Sequence, residues 1–193
     1  MKRSLLIILI LIQISCTTKK EDLSKEFECL INTSKTVYKV GEIPDLQVSI
    51  INKIGKEVYL IENLDGSEIK WRMPYCYYRI KKPKRDSIGP AARCGNMNSI
   101  RKEDFKLIKS GEKFNPYGQI SEYNKAFELT RQGNFRNTGK YQITFFYSTK
   151  SNDLTDFVGD GIYGKEKIEI AKLFKLLPSI ELTSNTLEIE IKP

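Results

Sequence analysis

The chain has 193 residues, 32 Lys and Arg against 24 Asp and Glu, a formal charge of +8 and no histidine. The missing imidazole excludes serine and cysteine triads and removes the commonest zinc ligand. Ten tyrosines and nine phenylalanines within a 40% hydrophobic composition suit a globular chain biased toward strands.

Lys2 and Arg3 precede an uninterrupted apolar run from Leu5 to Ile12, which ends at Gln13-Ile14-Ser15-Cys16. A basic start and a short apolar core are the pattern of a secretory signal, and the run is too short for a hydrocarbon core that needs about 20 residues. Ile14-Ser15-Cys16 resembles the lipobox of bacterial lipoproteins, with Gln13 where leucine is usual. The resemblance implies that Cys16 is acylated and becomes the first residue of the mature protein. Several acyl chains, at about 0.8 kcal/mol per buried CH₂, make such an anchor close to permanent.

Thr17 does not resemble the aspartate that retains some lipoproteins at the inner membrane. Lys20-Glu21-Asp22 is similar to the Lys-acid-acid signal that sends some Bacteroidota lipoproteins to the cell surface. The expected organisation is a signal peptide over 1–15, a lipidated flexible tether over 16–26 and one domain over 27–193. The expected location is the outer membrane of the cell envelope, on its periplasmic or surface face.

Val37-Tyr38 and the alternating Leu46, Val48 and Ile50 predict strands, followed by a turn at 52–55 and a returning strand at 58–61. Asp65-Gly66 is a turn signal. Ile69, Trp71, Met73, Tyr75 and Tyr77 fall on one face of a further predicted strand, the simplest reading being its buried face, with Pro74 marking an edge or bulge. Strands follow at 105–108, at Tyr141, Ile143, Phe145 and Tyr147, and at Leu187, Ile189 and Ile191. Ile170, Leu173, Phe174 and Leu177 have helical spacing and Pro178 ends the helix.

The expected fold is mainly β: an antiparallel sandwich of about seven strands, with one short helix in a long connection before the last strand. The stretch 38–60, Ser110-Gly111-Glu112 and Gly139-Lys140-Tyr141 resemble the opening, a later turn and the Gly-x-Tyr strand start of immunoglobulin-like bacterial envelope domains, intracellular proteinase inhibitors among them. The resemblance implies an immunoglobulin-like sandwich and no particular activity.

Charge is placed unevenly. From Lys70 to Lys102 there are ten basic residues against one acid, Asp86, so the rest of the mature chain is net acidic. Lys70, Arg72, Arg79, Lys81, Lys82, Lys84, Arg85 and Arg93 are the candidate anion-binding residues, with Arg101 and Lys102 beyond them. Such a patch attracts anionic lipid, acidic polysaccharide or an acidic envelope protein; nucleic acid is disfavoured by an envelope location. Trp71, Tyr75, Tyr77 and Tyr78 lie among the charges and could stack on a ligand.

Cys29, Cys76 and Cys94 follow Cys16. Cys76 and Cys94 bracket a Pro-, Gly- and Arg-containing loop and are the favoured disulfide, with a bridge from Cys29 or three thiols left open. Asp86-Ser87-Ile88 resembles the O-glycosylation acceptor of exported Bacteroidota proteins, which makes Ser87 the candidate. An EF-hand reading from Asp156 fails at Val158 and Lys167, where oxygen ligands are required. No Gly-rich phosphate loop, Gly-x-Ser-x-Gly elbow or Cys-x-x-Cys is present, so no cofactor is expected. The functional expectation is a non-enzymatic, membrane-anchored binding domain. A protease-inhibitor-like module and an enzyme built on carboxylates are the alternatives.

Overall fold

The computed structural model describes residues 20–62, 73–83, 85–88 (backbone only), 100–118, 135–158 and 164–193. Eleven strands occur among them: β1 (Phe27–Thr33), β2 (Val37–Lys39), β3 (Leu46–Asn52), β4 (Val58–Ile61), β5 (Tyr75–Lys82), β6 (Arg85–Ile88), β7 (Phe105–Ile108), β8 (Lys113–Phe114), β9 (Gly139–Ser148), β10 (Glu181–Thr183) and β11 (Leu187–Lys192). One α-helix, α1 (Gly164–Leu176), is also described.

The protein is mainly β, with its sheets packed as a sandwich. One sheet has the order β1-β3-β8, and a separate β4-β7 pair comes between β3 and β8 in the chain; the larger sheet has the order β2-β11-β9-β5-β6, with β10 beside β9. The run β11-β9-β5-β6 has the G-F-C-C′ order of an immunoglobulin-like sandwich. Alternation sends Ile31, Val48 and Ile50 from the first sheet against Ile80, Ile143, Phe145 and Ile189 of the second, all nearly or fully buried. At about 1.5–3 kcal/mol for each such side chain, this interlayer core is the main favourable contribution to folding.

The described strand pairs are antiparallel except β2–β11, which is parallel. After β1 the chain crosses to the other sheet over only 34–36 and keeps its direction, so it meets β11 running alongside. Gly139-Lys140-Tyr141 opens β9. Tyr141 is fully buried at the start of β9, and its hydroxyl donates to the Asn137 carbonyl at 2.9 Å. A strand-F tyrosine reaching back to backbone just upstream is the tyrosine corner of immunoglobulin-like sandwiches.

Turns at 53–57 and 109–112 separate β3 from β4 and β7 from β8, and Asn52 joins the pieces. Its side-chain amide donates to the carbonyls of Lys56 and Ile108, both at 3.0 Å, and its Oδ1 accepts from the Ile54 N–H at 3.0 Å. Asn52 has no exposed surface, so these bonds satisfy a polar side chain that would be costly to bury alone.

Helix α1 presents the expected face. Ile170, Phe174 and Leu177 are buried and Leu173 partly so, packed on Ile61, Met73, Ile100, Phe105 and Phe157. These residues form a second core beside the sandwich. Lys20 is held against this end: its ammonium donates to the Phe174 carbonyl at 2.8 Å and lies 3.7 Å from the Phe174 ring centroid. Burial lowers its pKa to about 8. Asp22 bridges to Ser179, pairs with Lys150 at 3.0 Å and accepts from Ser24. Residues 20–26 of the expected tether therefore lie against the domain.

The predicted strand over 69–77 is corrected in phase. The inward residues of β5 are Cys76, Tyr78 and Ile80, while Tyr75 and Tyr77 are only half-buried. Met73 is drawn into the helix-side core, and its N–H donates to the Asp156 carbonyl at 2.7 Å. Met73, Pro74 and Cys76 are all buried, so one period-two count cannot run through the proline.

Candidate functional site

Inverting the phase of β5 puts aromatic rings on the outside of the larger sheet. β5 and β9 pair antiparallel, with Tyr75 opposite Ser148, Tyr77 opposite Phe146, Arg79 opposite Thr144 and Lys81 opposite Gln142. Opposed residues share a face; the Tyr77–Phe146, Arg79–Thr144 and Lys81–Gln142 rungs project outward, while Ser148 is buried and Tyr75 packs against the helix-side core. The Tyr77 and Phe146 rings stack with centroids 4.9 Å apart and planes 12° from parallel. The Arg79 guanidinium carbon lies 4.4 Å from the Phe146 centroid.

Three adjacent positions thus build a platform: two parallel rings and a cation held by the face of one of them. Such a cation–π contact contributes about 0.5–1 kcal/mol at an exposed site. A cavity of about 190 Å³ adjoins the rings, lined by Tyr75, Tyr77, Phe146, Ser148, Glu181 and Thr183. Burial, with a smaller contribution from Asp156, raises the Tyr75 pKa, so its hydroxyl is a neutral donor and acceptor at ordinary pH.

Charge is graded along the same face. Glu181 stands opposite Ser148 at the aromatic end. Arg79 and Lys81 are exposed toward the other end. On the β11 side, Lys140 and Glu188 pair at 2.9 Å, raising the lysine and lowering the carboxylate, and Lys192 and Glu190 pair at 3.3 Å. Surface pairs of this kind contribute little stability, but they cancel local charge. The positive potential of the described face is therefore concentrated along β5.

The candidate anion-binding residues separate accordingly. Arg79 and Lys81 project from β5 beside the rings, and Lys82 is half-buried at the strand end. Arg85 and Ser87 lie on β6, which pairs with β5 through Lys82 and Arg85 and through Ile80 and Ile88. Lys102 is elsewhere, 3.4 Å from Glu169 of α1, and the Arg101 N–H donates to Asp104 at 2.7 Å. Cys16, Lys70, Arg72, Lys84, Arg93 and Cys94 lie outside the described residues. Of the expected disulfide, Cys76 is fully buried on the inner face of β5. Cys29 is a buried thiol whose pKa burial pushes up to about 12.

Phe146 was the site residue missed in sequence. Its signal was present: Lys140, Gln142 and Thr144 are the outward phase of β9, and Phe146 is an aromatic in that phase. Among the described residues no group of three His, Cys, Asp or Glu could hold a metal ion. Among the described residues two acids are buried, and both have structural partners. Asp104 caps the turn beginning at Arg101, its carboxyl raised by burial. Glu62 packs on Gly118 and lies 3.5 Å from Lys106. No described helix is long and apolar enough to cross a membrane.

No protein-family description, curated protein or solved structure matches the chain.

Proposed function

We propose that the chain is an envelope lipoprotein, acylated at Cys16 and held at the outer membrane, whose sandwich is a non-enzymatic binding module for acidic polysaccharide. The observation that carries the binding reading is the Tyr77–Phe146 stack on the outer sheet face with Arg79 against it. Aromatic rings offer an apolar face to the C–H side of a sugar ring, and the adjoining guanidinium pairs bidentately with a carboxylate or sulfate. Lys81, one rung beyond Arg79, extends the charge along a polymer rather than around one small anion.

The anchor itself favours a polymer over the lipid of the anchoring membrane. Asp22, close to the expected acylation point, pairs with Lys150 just past the end of β9. Tyr75 lies at that end of the sheet, and Lys81 is six residues farther along β5, about 20 Å at strand rise. A cation that far away is more than two Debye lengths (~8 Å) from charge at the tether end.

Retention on immobilised polygalacturonate, compared with a neutral glucan and with phosphatidylglycerol vesicles, tests the reading. Arg79→Ala with Lys81→Ala is expected to lower the salt needed for elution. Phe146→Ala is expected to weaken binding about tenfold, equivalent to about 1.4 kcal/mol. Unchanged retention in both variants, or retention by vesicles alone, overturns the polysaccharide assignment. Separately, Cys16→Ser is expected to lose the acyl mass and leave the membrane fraction; persistence there overturns the anchor.

A further inference from the structure

The same end of the domain that holds Lys20 carries an apolar surface. A groove of about 420 Å³ runs from Lys20 and Leu23 past Tyr59 and Leu107 to Leu176 and Pro178. Leu107 is 43% exposed and Leu176 60%, although both lie beside well-packed cores. Exposed leucines in a groove are unusual enough on a folded domain to ask what covers them.

Helix α1 continues this surface from Leu176. Its buried side is accounted for by Ile170 and Phe174, yet Ile168 is 59% exposed. Ile168, Lys172 and Leu176 are spaced i, i+4 and i+8, so they form one exposed stripe of two apolar residues around a lysine. An apolar stripe with lysine among it is the composition of a helix lying at a membrane surface, the ammonium reaching the headgroups while the stem stays apolar.

Chain length selects the occupant. Only four peptide steps separate Cys16 from Lys20, a reach of at most about 14 Å even fully extended. Lys20 is fixed to the Phe174 carbonyl and ring and lines the groove itself. If Cys16 carries lipid, Lys20 cannot leave the neighbourhood of the headgroups, and the groove next to it lies within reach of them. Lys56 and Lys20 at the rim favour an anionic surface, while Glu21 and Glu57 limit the attraction to contact range.

We propose that the Leu107–Leu176 groove and the Ile168–Lys172–Leu176 stripe rest on the bilayer that holds the anchor. This inference depends on acylation of Cys16, and it fixes the orientation of the domain: the β5–β6 turn points away from that membrane and toward a ligand beyond it.

The test uses the acylated protein in vesicles containing brominated phospholipid. Leu176→Trp and Leu107→Trp are compared with Lys81→Trp, each measured as fluorescence added over the parent, which contains Trp71. The two groove variants are expected to be quenched several-fold more than the Lys81 variant. Equal quenching at all three positions, or none in the groove, overturns the inference. Intact mass of the same samples separates the two claims: acyl mass without groove quenching sinks the orientation alone, and absence of acyl mass sinks the anchor and the orientation together. Leu176 and Leu107 are both exposed, so two independent substitutions guard against misfolding at either one.

Discussion

The hydroxyl of Tyr147 donates to the Ile61 carbonyl at 2.8 Å and accepts from the Ile61 N–H at 3.0 Å. Tyr147 belongs to β9 of the larger sheet and Ile61 ends β4 of the two-stranded β4–β7 pair, so one phenol caps the backbone of that pair as a neighbouring strand would. The group is entirely buried, and burial holds its pKa far above the ordinary tyrosine range. Tyr147→Phe keeps the ring packed against Phe114 but leaves two buried backbone groups without this partner. The expected loss is about 2–6 kcal/mol, since each of the two orphaned groups costs about 1–3. Urea unfolding of the two proteins measures it, and a midpoint within error of the parent would show that water or a backbone shift replaces the phenol.

Asn52 makes a sharper demand because it must donate twice and accept once. Asn52→Asp keeps the shape and the acceptor for the Ile54 N–H but presents an oxygen to the carbonyls of Lys56 and Ile108. The buried carboxyl is then driven to stay protonated, with a folded pKa above the unfolded value near 3.9. The unfolded state binds fewer protons between those two values, so the variant loses stability as pH rises through that window. It is expected to be closer to the parent at pH 4 than at pH 7. Equal deficits at both values count against a buried carboxylate at this position.

Most of the fold was legible because its signals are local. Leu46, Val48 and Ile50, Tyr141 to Tyr147 at alternate positions, and Ile170, Phe174 and Leu177 at helical spacing are each buried as their periods require. The sandwich class followed from those periods and the turns between them. The face of β5 did not, because Met73 answers to the helix-side core while Cys76 answers to the sandwich, and one alternating count cannot serve two cores. The platform was half-visible for a related reason. Tyr77 and Arg79 were already singled out, but which face they occupy depends on pairing with β9, and Phe146 joins them only through that long-range register. The sequence period puts Tyr75 and Tyr77 on the inward face of the strand, and the structure instead leaves both half-buried, out of phase with Cys76, Tyr78 and Ile80.

Gly139, the first residue of the central strand β9, packs against the β5–β6 turn. Its φ of +123° lies where side chains are strained, and a Cβ there would stand 2.8 Å from Cγ of Pro83 at the β5–β6 turn. Gly139→Ala should cost about 1–3 kcal/mol from backbone strain and the displaced proline. The displacement would be felt at the β5–β6 turn first. Thermal unfolding checks the stability; elution from polygalacturonate checks whether the turn has moved, and a lowered salt requirement without loss of the Tyr77–Phe146 stack is the expected outcome.

Cys29 makes stability fall on the alkaline side. Its thiol is buried between the sheets with a folded pKa of about 12, against about 8.5 in an unfolded chain. Between those values the unfolded state has released a proton that the folded state retains, so the free energy of unfolding declines as pH rises, by at most about 1.4 kcal/mol per pH unit for one group. Below the unfolded value the group has no effect on the slope. Cys29→Ala removes the titrating group at the cost of a small cavity, which lowers stability by an amount independent of pH. The variant is therefore expected to start lower at pH 7.5 and to fall less steeply toward pH 10.5, so that the two urea midpoints converge. Parallel lines over that range would mean that the Cys29 thiol titrates alike in the folded and unfolded protein, against its burial between the sheets.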